Sequence, residues 1–312
     1  MPLELLYRGP KAPATKAQIK RWLDAPPPWR DHRQPKRKAI SRTVPESVTA
    51  SSRGQAYVPT GDNELDRVNL ALWLRRPILV TGPPGTGKSS LAYGIAEALG
   101  LGAPLRWEIN SHSTLTEGLY HYDAVGHFHA ARIKENADVP ASEFITLGPL
   151  GTAFVPTDRP RVLLVDELDK ASWDLPNDLL HVFEEGAFRV PELMRQTEKR
   201  LVALCDGTLS SDRVILDGPL VRVLHHPVVV ITSNGEREFS DAFRRRCVTL
   251  QMETLAPEQM AAVIQSQLGD HPTLIAQLDQ FASTETDIVL QTMYAMLHGA
   301  DIAAVRAALR RG

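Results

Sequence analysis

The segment Gly82-Pro83-Pro84-Gly85-Thr86-Gly87-Lys88-Ser89 decides the fold. An apolar run, Pro77–Thr81, precedes it, and a stretch with helical periodicity, Lys88–Leu99, overlaps its end. A glycine-rich loop between a strand and a helix can turn several backbone N–H groups inward, which makes an anion-binding nest at the helix N-terminus. The spacing GxxxxGK[ST] in this context therefore predicts a phosphate-binding loop.

The predicted loop assigns roles to individual side chains. Lys88 is expected to reach the β- and γ-phosphates of ATP, and the Ser89 hydroxyl is expected to ligate Mg²⁺. Tyr57, just before the first predicted core helix, is a candidate neighbour of the adenine ring; a surface or core aromatic is the alternative. The expected cofactors are ATP and Mg²⁺, and the candidate nucleotide-binding residues are Gly82, Pro83, Pro84, Gly85, Thr86, Gly87, Lys88, Ser89, Ser90 and Tyr57.

A second motif ends another apolar strand. Val162–Val165 is a continuous apolar run, typical of a strand buried on both faces of a parallel sheet, and Asp166 and Glu167 follow it. Asp166 is expected to hold a Mg²⁺-bound water, and Glu167 is expected to be the general base for the attacking water. The alternative is a strand that ends in a solvated acidic turn. Asp169 either assists the metal or forms a structural salt bridge.

Two further elements complete the candidate site. Asn234, after the apolar run Val228–Ile231, is expected to hydrogen-bond the attacking water or the γ-phosphate, with Ser233 and Thr232 as alternatives. The run Arg244–Arg246 predicts an arginine finger that is supplied to a neighbouring subunit; a solvated basic helix end is the alternative. The candidate catalytic residues are Lys88, Glu167, Asn234, Arg245 and Arg246.

Helices and strands alternate along the chain from residue 56, and strand patterns end near residue 252. This order predicts the α/β class: a P-loop NTPase αβα sandwich with a parallel central sheet, followed by a small all-helical lid domain. We expect a basic, Pro-rich leader at 1–55, the αβα core at 56–252 and the lid at 253–312. Besides the runs above, the predicted helices are Asn63–Arg75 and Pro176–Glu185, and the predicted strands are Leu105–Asn110 and Val248–Met252.

The charge is distributed unevenly along the 312 residues. The formal net charge is −2, but residues 1–53 hold 12 basic and 4 acidic residues, and the remainder carries −10. The first 59 residues also hold 9 of the 23 prolines, which favours extended or loop conformations. The leader is therefore predicted to be a solvated arm. Because Trp is unusual in a free tail, Trp22 and Trp29 favour the alternative, docking on a neighbouring subunit or an acidic partner.

Composition excludes several classes of protein. The whole-chain charge gives no argument for a nucleic acid or a membrane as partner, and 43% hydrophobic residues argue against wholesale disorder. Two cysteines, Cys205 and Cys247, cannot form a disulfide framework or a four-ligand zinc site. No apolar run approaches the roughly 18 residues of a membrane span, and the start does not resemble a signal peptide. We expect a soluble, cytoplasmic protein.

The order of these elements resembles the AAA+ ATPases, and within them the MoxR group. The phosphate loop, the Asp-Glu strand, the Asn at the next strand tip and the arginines before the following strand occur in that order within 56–252. Thr146–Leu150 resembles an insert of the MoxR group near its second core helix, and Ser210–Arg222 resembles its β-hairpin insertion. Pro26–Arg30 resembles the leader of a subgroup encoded beside von Willebrand factor A-type partners.

The resemblance implies a homo-oligomeric ring, usually hexameric, with ATP bound between subunits. It locates the arginine finger just before the last core strand, which points to Arg246 first, Arg245 second and Arg244 third. The sequence departs from the superfamily at the lid, where Thr284–Asp287 opens a helix without the expected sensor-2 arginine and Arg306 lies much further along. The lid is then expected to sense the nucleotide differently or to have a reduced role.

Three function hypotheses follow. The first is an ATP-hydrolysing, Mg²⁺-dependent MoxR-type protein that remodels or activates a protein partner as a ring; Tyr120 and Tyr122 would then grip a client at a central pore, or else pack beneath the insertion. The second is an ATP-driven nucleic-acid motor or loader, which the basic leader favours and the acidic core disfavours. The third is a monomeric P-loop kinase or transferase, which Asn234 and the arginine run disfavour. No metal-ligand pattern accompanies the loop histidines His121, His127 and His129.

Overall fold

The computed structural model describes residues 4–33, 39–40, 42, 44, 47–133, 139–196, 200–207, 213–281, 285–300 and 305. Within them the helices are α1 (Lys16–Asp24), α2 (Val48–Gln55), α3 (Asp62–Leu74), α4 (Lys88–Leu99), α5 (Leu115–Leu119), α6 (Ala124–Ile133), α7 (Pro149–Ala153), α8 (Leu175–Glu185), α9 (Asp241–Arg246), α10 (Pro257–Leu268), α11 (Pro272–Ile275) and α12 (Thr286–Leu297). The strands are β1 (Ile78–Thr81), β2 (Leu105–Glu108), β3 (Tyr120–Tyr122), β4 (Ile145–Leu147), β5 (Val162–Asp166), β6 (Ala187–Arg189), β7 (Arg200–Leu204), β8 (Arg213–Leu216), β9 (Leu220–Arg222), β10 (Val228–Ser233) and β11 (Val248–Gln251).

Five strands form a parallel central sheet in the order β11-β1-β10-β5-β2. Neighbouring residues of a strand point to opposite faces of a sheet. Leu163 and Val165 of β5 belong to one apolar cluster, whereas Val162 and Leu164 belong to another. Both clusters are buried, which explains why β5 is apolar throughout. The predicted αβα sandwich with a parallel central sheet is confirmed.

The strand order brings the predicted motifs together. β10 lies between β1 and β5, so the phosphate loop, the Asp-Glu pair and Asn234 all follow adjacent strands. In parallel strands the carboxyl ends share one edge of the sheet, where ligands bind in open α/β folds. We call this edge the catalytic edge, because the residues predicted to be catalytic lie along it. Most predicted elements lie within one or two residues of the observed ones; β10 runs two residues past the predicted Ile231 and ends at Ser233.

The predicted β-hairpin at Ser210–Arg222 is different in the structure. Residues 208–212 lie outside the described part of the chain, β8 pairs antiparallel with β7, and β9 pairs antiparallel with β6. Pro219, between β8 and β9, has no N–H to donate to a ladder. Its carbonyl accepts a hydrogen bond of 2.8 Å from the Val190 N–H, next to β6. This contact directs β9 to β6 and away from β8.

Part of the leader packs on the core of its own chain, so the solvated arm predicted for it is wrong for Leu6, Tyr7, Ile19 and Trp22. Leu6, Tyr7 and Trp22 are at most 1% exposed and belong to the apolar cluster that contains Val80. Docking of Trp22 on a neighbouring subunit is wrong for the same reason. Trp29, by contrast, is 70% exposed.

Helix α3 holds the leader through directed hydrogen bonds. Asn69 Oδ1 accepts the backbone N–H groups of Leu6 (2.7 Å) and Tyr7 (2.9 Å), and Asn69 Nδ2 donates to the Tyr7 carbonyl (2.8 Å). The Trp22 indole N–H donates to the Leu72 carbonyl at 2.9 Å. An amide side chain thus pairs with the leader backbone as a neighbouring strand would, which fixes the leader in one register.

The C-terminal region is helical and has its own apolar cluster. Met260 and Ile264 of α10 pack with Val289 and Met293 of α12. This agrees with the predicted helical region after the sheet. Across the described residues, no helix combines the length and the apolar character needed to cross a membrane.

Candidate nucleotide-binding site

The loop after β1 is shaped for close backbone approach. Gly82, Gly85 and Gly87 have φ values of 149°, 73° and 87°, which residues other than glycine rarely adopt. A Cβ on Gly82 would lie 2.1 Å from the Met252 carbonyl oxygen, so only glycine fits where the loop leaves β1. Helix α4 begins at Lys88, and its first N–H groups therefore face the loop without partners inside the helix.

Lys88 bends back over this loop. Its Nζ donates to the carbonyl oxygens of Gly82 (2.8 Å) and Pro83 (2.6 Å). Burial lowers the pKa of Lys88, and the nearby carboxylates of Asp169 and Glu167 oppose that shift. The ammonium thus lies between the phosphate loop and the acidic end of β5.

A cavity of 490 Å³ joins the loop, the strand ends and the C-terminal helices. Its wall includes residues 84–90, so Ser90 lies with the loop residues as predicted from the sequence. A larger cavity, of 590 Å³, lies between α2 and α4 and contains none of the predicted catalytic groups among its wall residues. The smaller cavity is therefore the candidate site, because it brings together Lys88, Ser89, Asp166, Glu167, Thr232 and Asn234.

Asp166 joins three elements at the catalytic edge. Its Oδ1 accepts the hydroxyl groups of Ser89 (2.7 Å) and Thr232 (2.7 Å), and its Oδ2 accepts from Arg106 Nη2 (2.8 Å). Burial on its own would raise the pKa of Asp166, but these hydrogen bonds and the Arg106 charge outweigh burial and lower the pKa. Thr232 also accepts the Glu167 N–H at 2.8 Å, so its hydroxyl orients both carboxylate residues.

Glu167 has a left-handed backbone conformation, with φ 61° and ψ 49°. For a residue with a Cβ this conformation costs about 1–2 kcal/mol. Its Oε1 accepts from Asn234 Nδ2 at 3.1 Å, and its Oε2 pairs with Lys170 Nζ at 2.7 Å. The structure thus puts the two predicted water-contacting residues, Glu167 and Asn234, in direct contact.

Asp169 fixes the loop that carries Asn234. Its Oδ2 accepts the backbone N–H groups of Asn234 (2.9 Å) and Glu236 (3.1 Å), and the residue is buried. The predicted alternatives were a metal-assisting role and a salt bridge. The observed contacts are hydrogen bonds to backbone rather than a salt bridge, and the metal-assisting role stays a prediction.

Arg106 is a site residue that the sequence analysis missed. It lies on β2, which pairs with β5 so that Arg106 is opposite Leu164, and its side chain lines the cavity. Its second carboxylate partner is Glu108, at 2.7 Å. The alternation of β2, with Leu105 and Trp107 buried, was a signal that Arg106 faces the other way. That β2 lies beside β5 follows only from the structure.

The three arginines of α9 lie away from the cavity of their own chain. Arg246 pairs with Glu184, and Arg244 Nη2 pairs with Asp241 Oδ1 at 2.6 Å. The Arg245 carbonyl accepts a hydrogen bond from Arg76. Among the described residues that line the 490 Å³ cavity, none belongs to this run.

The C-terminal helices close the cavity with acidic groups. Thr286 and Asp287 line it, and a Cβ on Gly85 would lie 2.8 Å from Glu285 Cβ and 3.0 Å from Asp287 Oδ1. Carboxylates thus occupy the helix start at which the resemblance implies an arginine. Thr284 and Arg306 lie outside the described residues.

The three tyrosines considered as ligand-binding candidates make packing contacts within the chain. Tyr57 lines the cavity, but its ring lies against Gly94 and its hydroxyl donates to Glu64 Oε2 at 2.8 Å. Tyr120 and Tyr122 are half-buried against the apolar cluster that contains Leu163 and Val165. This agrees with the alternative in which both tyrosines pack beneath the insertion. The Tyr122 hydroxyl lies 2.5 Å from His127 Nδ1.

The parallel central sheet and the glycine-rich loop between β1 and α4 define a P-loop NTPase fold. The family model "AAA domain (dynein-related subfamily)" matches residues 77–247, more than half of the chain. The chain belongs to this family of AAA+ ATPases.

One solved structure, NtrX from Brucella abortus in complex with ADP, is similar to this chain at 17% identity and a TM-score of 0.40. The match covers 81% of this chain and 55% of that chain, so this chain spans about half the length of that protein. A likeness of this size carries no argument about function. No curated protein matches the chain.

Proposed function

We propose that the chain is a Mg²⁺-dependent ATPase of the MoxR group that works as a ring and remodels or activates a protein partner. One observation carries the proposal: the predicted catalytic groups converge on one cavity, while Arg244–Arg246 lie outside it. The cavity thus contains the proposed base, Glu167, and the proposed phosphate-binding Lys88, but its described lining does not include the proposed arginine finger. Such a site is suited to completion by a neighbouring subunit.

The residues at the catalytic edge fit ATP and Mg²⁺. The loop N–H groups and Lys88 would bind the phosphates. Ser89 and Asp166 would hold Mg²⁺, because hydroxyl and carboxylate oxygens are the donors it prefers, and their oxygens lie 2.7 Å apart. When bound there, Mg²⁺ would supply positive charge that neutralises the phosphates.

Glu167 would take the proton of the attacking water at its carboxylate. Asn234 orients that carboxylate through Oε1, and Thr232 fixes the backbone beneath it through the Glu167 N–H. Arg246 of a neighbouring subunit would stabilise the charge of the transition state, with Arg245 as the second candidate. In this role Arg246 would leave its contact with Glu184.

The first test compares Glu167→Gln with wild type. We expect the variant to bind ATP normally and to turn it over about 10²–10⁴-fold more slowly, because the amide cannot accept the proton. Glu185→Gln, an exposed carboxylate change on α8, is the matched control and is expected to keep full turnover. Wild-type turnover in Glu167→Gln would show that the base is another residue.

The second test asks whether the finger acts in trans. Arg246→Ala alone is expected to lower turnover about 10³–10⁵-fold. Mixing it with Lys88→Ala, which keeps the finger but not the phosphate lysine, should restore part of the activity. Arg245→Ala is the comparison variant. Failure of the mixture to recover any activity would contradict a site shared between subunits.

The partner is proposed to be a protein, with a von Willebrand factor A-type domain as one candidate, and the location is proposed to be cytoplasmic. The alternative of a nucleic-acid motor loses support because leader cations have partners within the chain: Arg21 with Glu4, and Arg42 with Asp206. Capture of partners on ATP-loaded Glu167→Gln tests the first proposal. A salt-dependent mobility shift of labelled DNA would favour the second.

A further inference from the structure

Glu64 is a buried carboxylate on α3 that the proposed mechanism does not use. It is 1% exposed. Its Oε2 accepts the Tyr57 hydroxyl (2.8 Å), the Thr60 hydroxyl (2.8 Å) and the Thr60 N–H (2.9 Å), and its Oε1 accepts the Tyr7 hydroxyl (3.1 Å). Burial raises the pKa of Glu64 against these four hydrogen bonds. Each donor therefore matters, because a buried carboxylate that loses a donor has no water to replace it.

The donors to Glu64 come from two separate parts of the chain. Tyr57 and Thr60 belong to the segment 56–60, in which Ala56, Tyr57, Val58 and Thr60 line the 490 Å³ cavity. Tyr7 belongs to the leader and is held in place by Asn69. A single carboxylate thus connects the docked leader with one wall of the candidate nucleotide site.

The C-terminal helices hold the same wall from the other side. Gln259 Nε2 donates to the Thr60 carbonyl at 2.6 Å, and the Ser266 hydroxyl donates to the Ala56 carbonyl at 3.0 Å. The position of segment 56–60 therefore depends on α3, on the leader and on α10 together. A small shift of this wall changes the shape of the cavity where a nucleotide base would lie.

We propose that Glu64 is a positioning residue for nucleotide binding, because it couples docking of the leader at Tyr7 to the position of the wall 56–60. The Tyr7–Glu64 contact of the docked leader then raises the affinity for nucleotide. This inference rests on the proposed function, since it takes the 490 Å³ cavity as the nucleotide site. By linkage, bound nucleotide strengthens docking of the leader by the same factor.

The test is Tyr7→Phe, which keeps the ring in the apolar cluster and removes one donor from Glu64. We expect the Kd for a fluorescent ADP analogue to rise about three- to tenfold, the size of one lost hydrogen bond, and kcat at saturating ATP to stay within about twofold. Trp73→Phe is the matched control. It removes a different leader bond, from the indole to the Glu4 carbonyl (2.8 Å), and does not touch Glu64.

The expected result is weaker nucleotide binding in Tyr7→Phe and unchanged binding in Trp73→Phe. An unchanged Kd in Tyr7→Phe, or equal weakening in both variants, would overturn the coupling through Glu64.

Hydrogen exchange at the Thr60 N–H without nucleotide separates the coupling proposal from the proposed function, because that N–H donates to Glu64. If exchange is faster in Tyr7→Phe but the wild-type protein does not bind nucleotide, the coupling through Glu64 is supported and the proposed function is contradicted. If the wild-type protein binds nucleotide tightly but exchange is unchanged in Tyr7→Phe, the proposed function is supported and the coupling through Glu64 is contradicted.

Discussion

At the catalytic edge of the sheet, the carboxylates of Asp166 and Glu167 bond to other side chains, whereas on the face covered by the leader, Asn69 and Trp22 bond to backbone. Asn234 bonds to the carboxylate of Glu167, and three side chains share the carboxylate of Asp166. On the leader face, Asn69 and Trp22 bond to backbone groups. Side-chain pairs can exchange partners when a ligand arrives, but a backbone contact fixes one docked geometry. The carboxylate contacts of Asp166 and Glu167 can therefore rearrange, whereas the contacts of Asn69 and Trp22 hold the leader in one geometry.

The largest effect expected on the leader face is the loss of Trp22. Trp22→Ala should lower the free energy of unfolding by about 3–5 kcal/mol, because it removes a fully buried ring and the bond to the Leu72 carbonyl. Urea denaturation measures this. Trp29→Ala, at a site 70% exposed, is the matched control and should change stability by at most about 0.5 kcal/mol. Equal effects of the two changes would mean that the leader is not part of the core.

The difference between these two tryptophans also marks where sequence reasoning stopped. Both lie in a basic, Pro-rich stretch, and composition favours a solvated arm for the whole stretch. Whether a leader residue is buried depends on partners far along the chain, on α3. Asn69 accepts a backbone N–H of the leader, and the Leu72 carbonyl accepts the indole N–H of Trp22. Every residue of the leader has a backbone that can form such hydrogen bonds, whatever its side chain. No sequence pattern in the leader therefore predicts which of its residues bond to α3.

A second, pH-dependent effect is expected on the leader face. His226 packs against His32 of the leader with ring centroids 4.8 Å apart, and its Nε2 has no partner in the described part of the chain. Burial, together with the nearby charges of His32 and Arg30, lowers the pKa of His226 to about 3. Between pH 6.5 and 3 the unfolded chain therefore binds a proton here and the folded chain does not. This contribution to stability is complete above pH 6.5 and is lost as the pH falls.

The slope is half-maximal at pH 6.5 and approaches about 1.4 kcal/mol per pH unit below it, so the loss from pH 6.5 to pH 5 is about 1.6 kcal/mol. His226→Gln should show that much less acid destabilisation in urea denaturation at the two pH values. His298→Gln, on an exposed helix end, is the control and should follow wild type. A wild-type slope in His226→Gln would show that His226 is protonated in the folded protein.

The smallest effect is expected at the catalytic edge, where Arg106 and Mg²⁺ would compete for Asp166. The Arg106 side chain is 45% exposed, so its ion pair contributes about 0.2–1 kcal/mol. Arg106→Gln should therefore lower the Mg²⁺ concentration for half-maximal turnover by about 1.5- to 5-fold. Glu108→Gln, which removes only the other partner of Arg106, should leave that concentration nearly unchanged. A higher Mg²⁺ requirement in Arg106→Gln would mean that Arg106 orients Asp166 for the metal.

The catalytic edge was largely predictable because each motif residue follows an apolar run. Parallel strands end at one edge, so Ser89, Asp166, Glu167 and Asn234 could be grouped without knowing the strand order. Arg106 could not be grouped with them, because its role depends on β2 lying next to β5. The hairpin assigned to Ser210–Arg222 failed for a similar reason, since β9 found its partner in β6.

The left-handed backbone of Glu167 has a further consequence for the balance of stability and activity. At φ 61°, glycine is unstrained and glutamate is not. Glu167→Gly should therefore gain about 1 kcal/mol of stability in the same variant that loses the proposed base. A screen for thermal stability alone would select this variant without the proposed base, so a search for a more stable form of this protein has to select for activity at the same time.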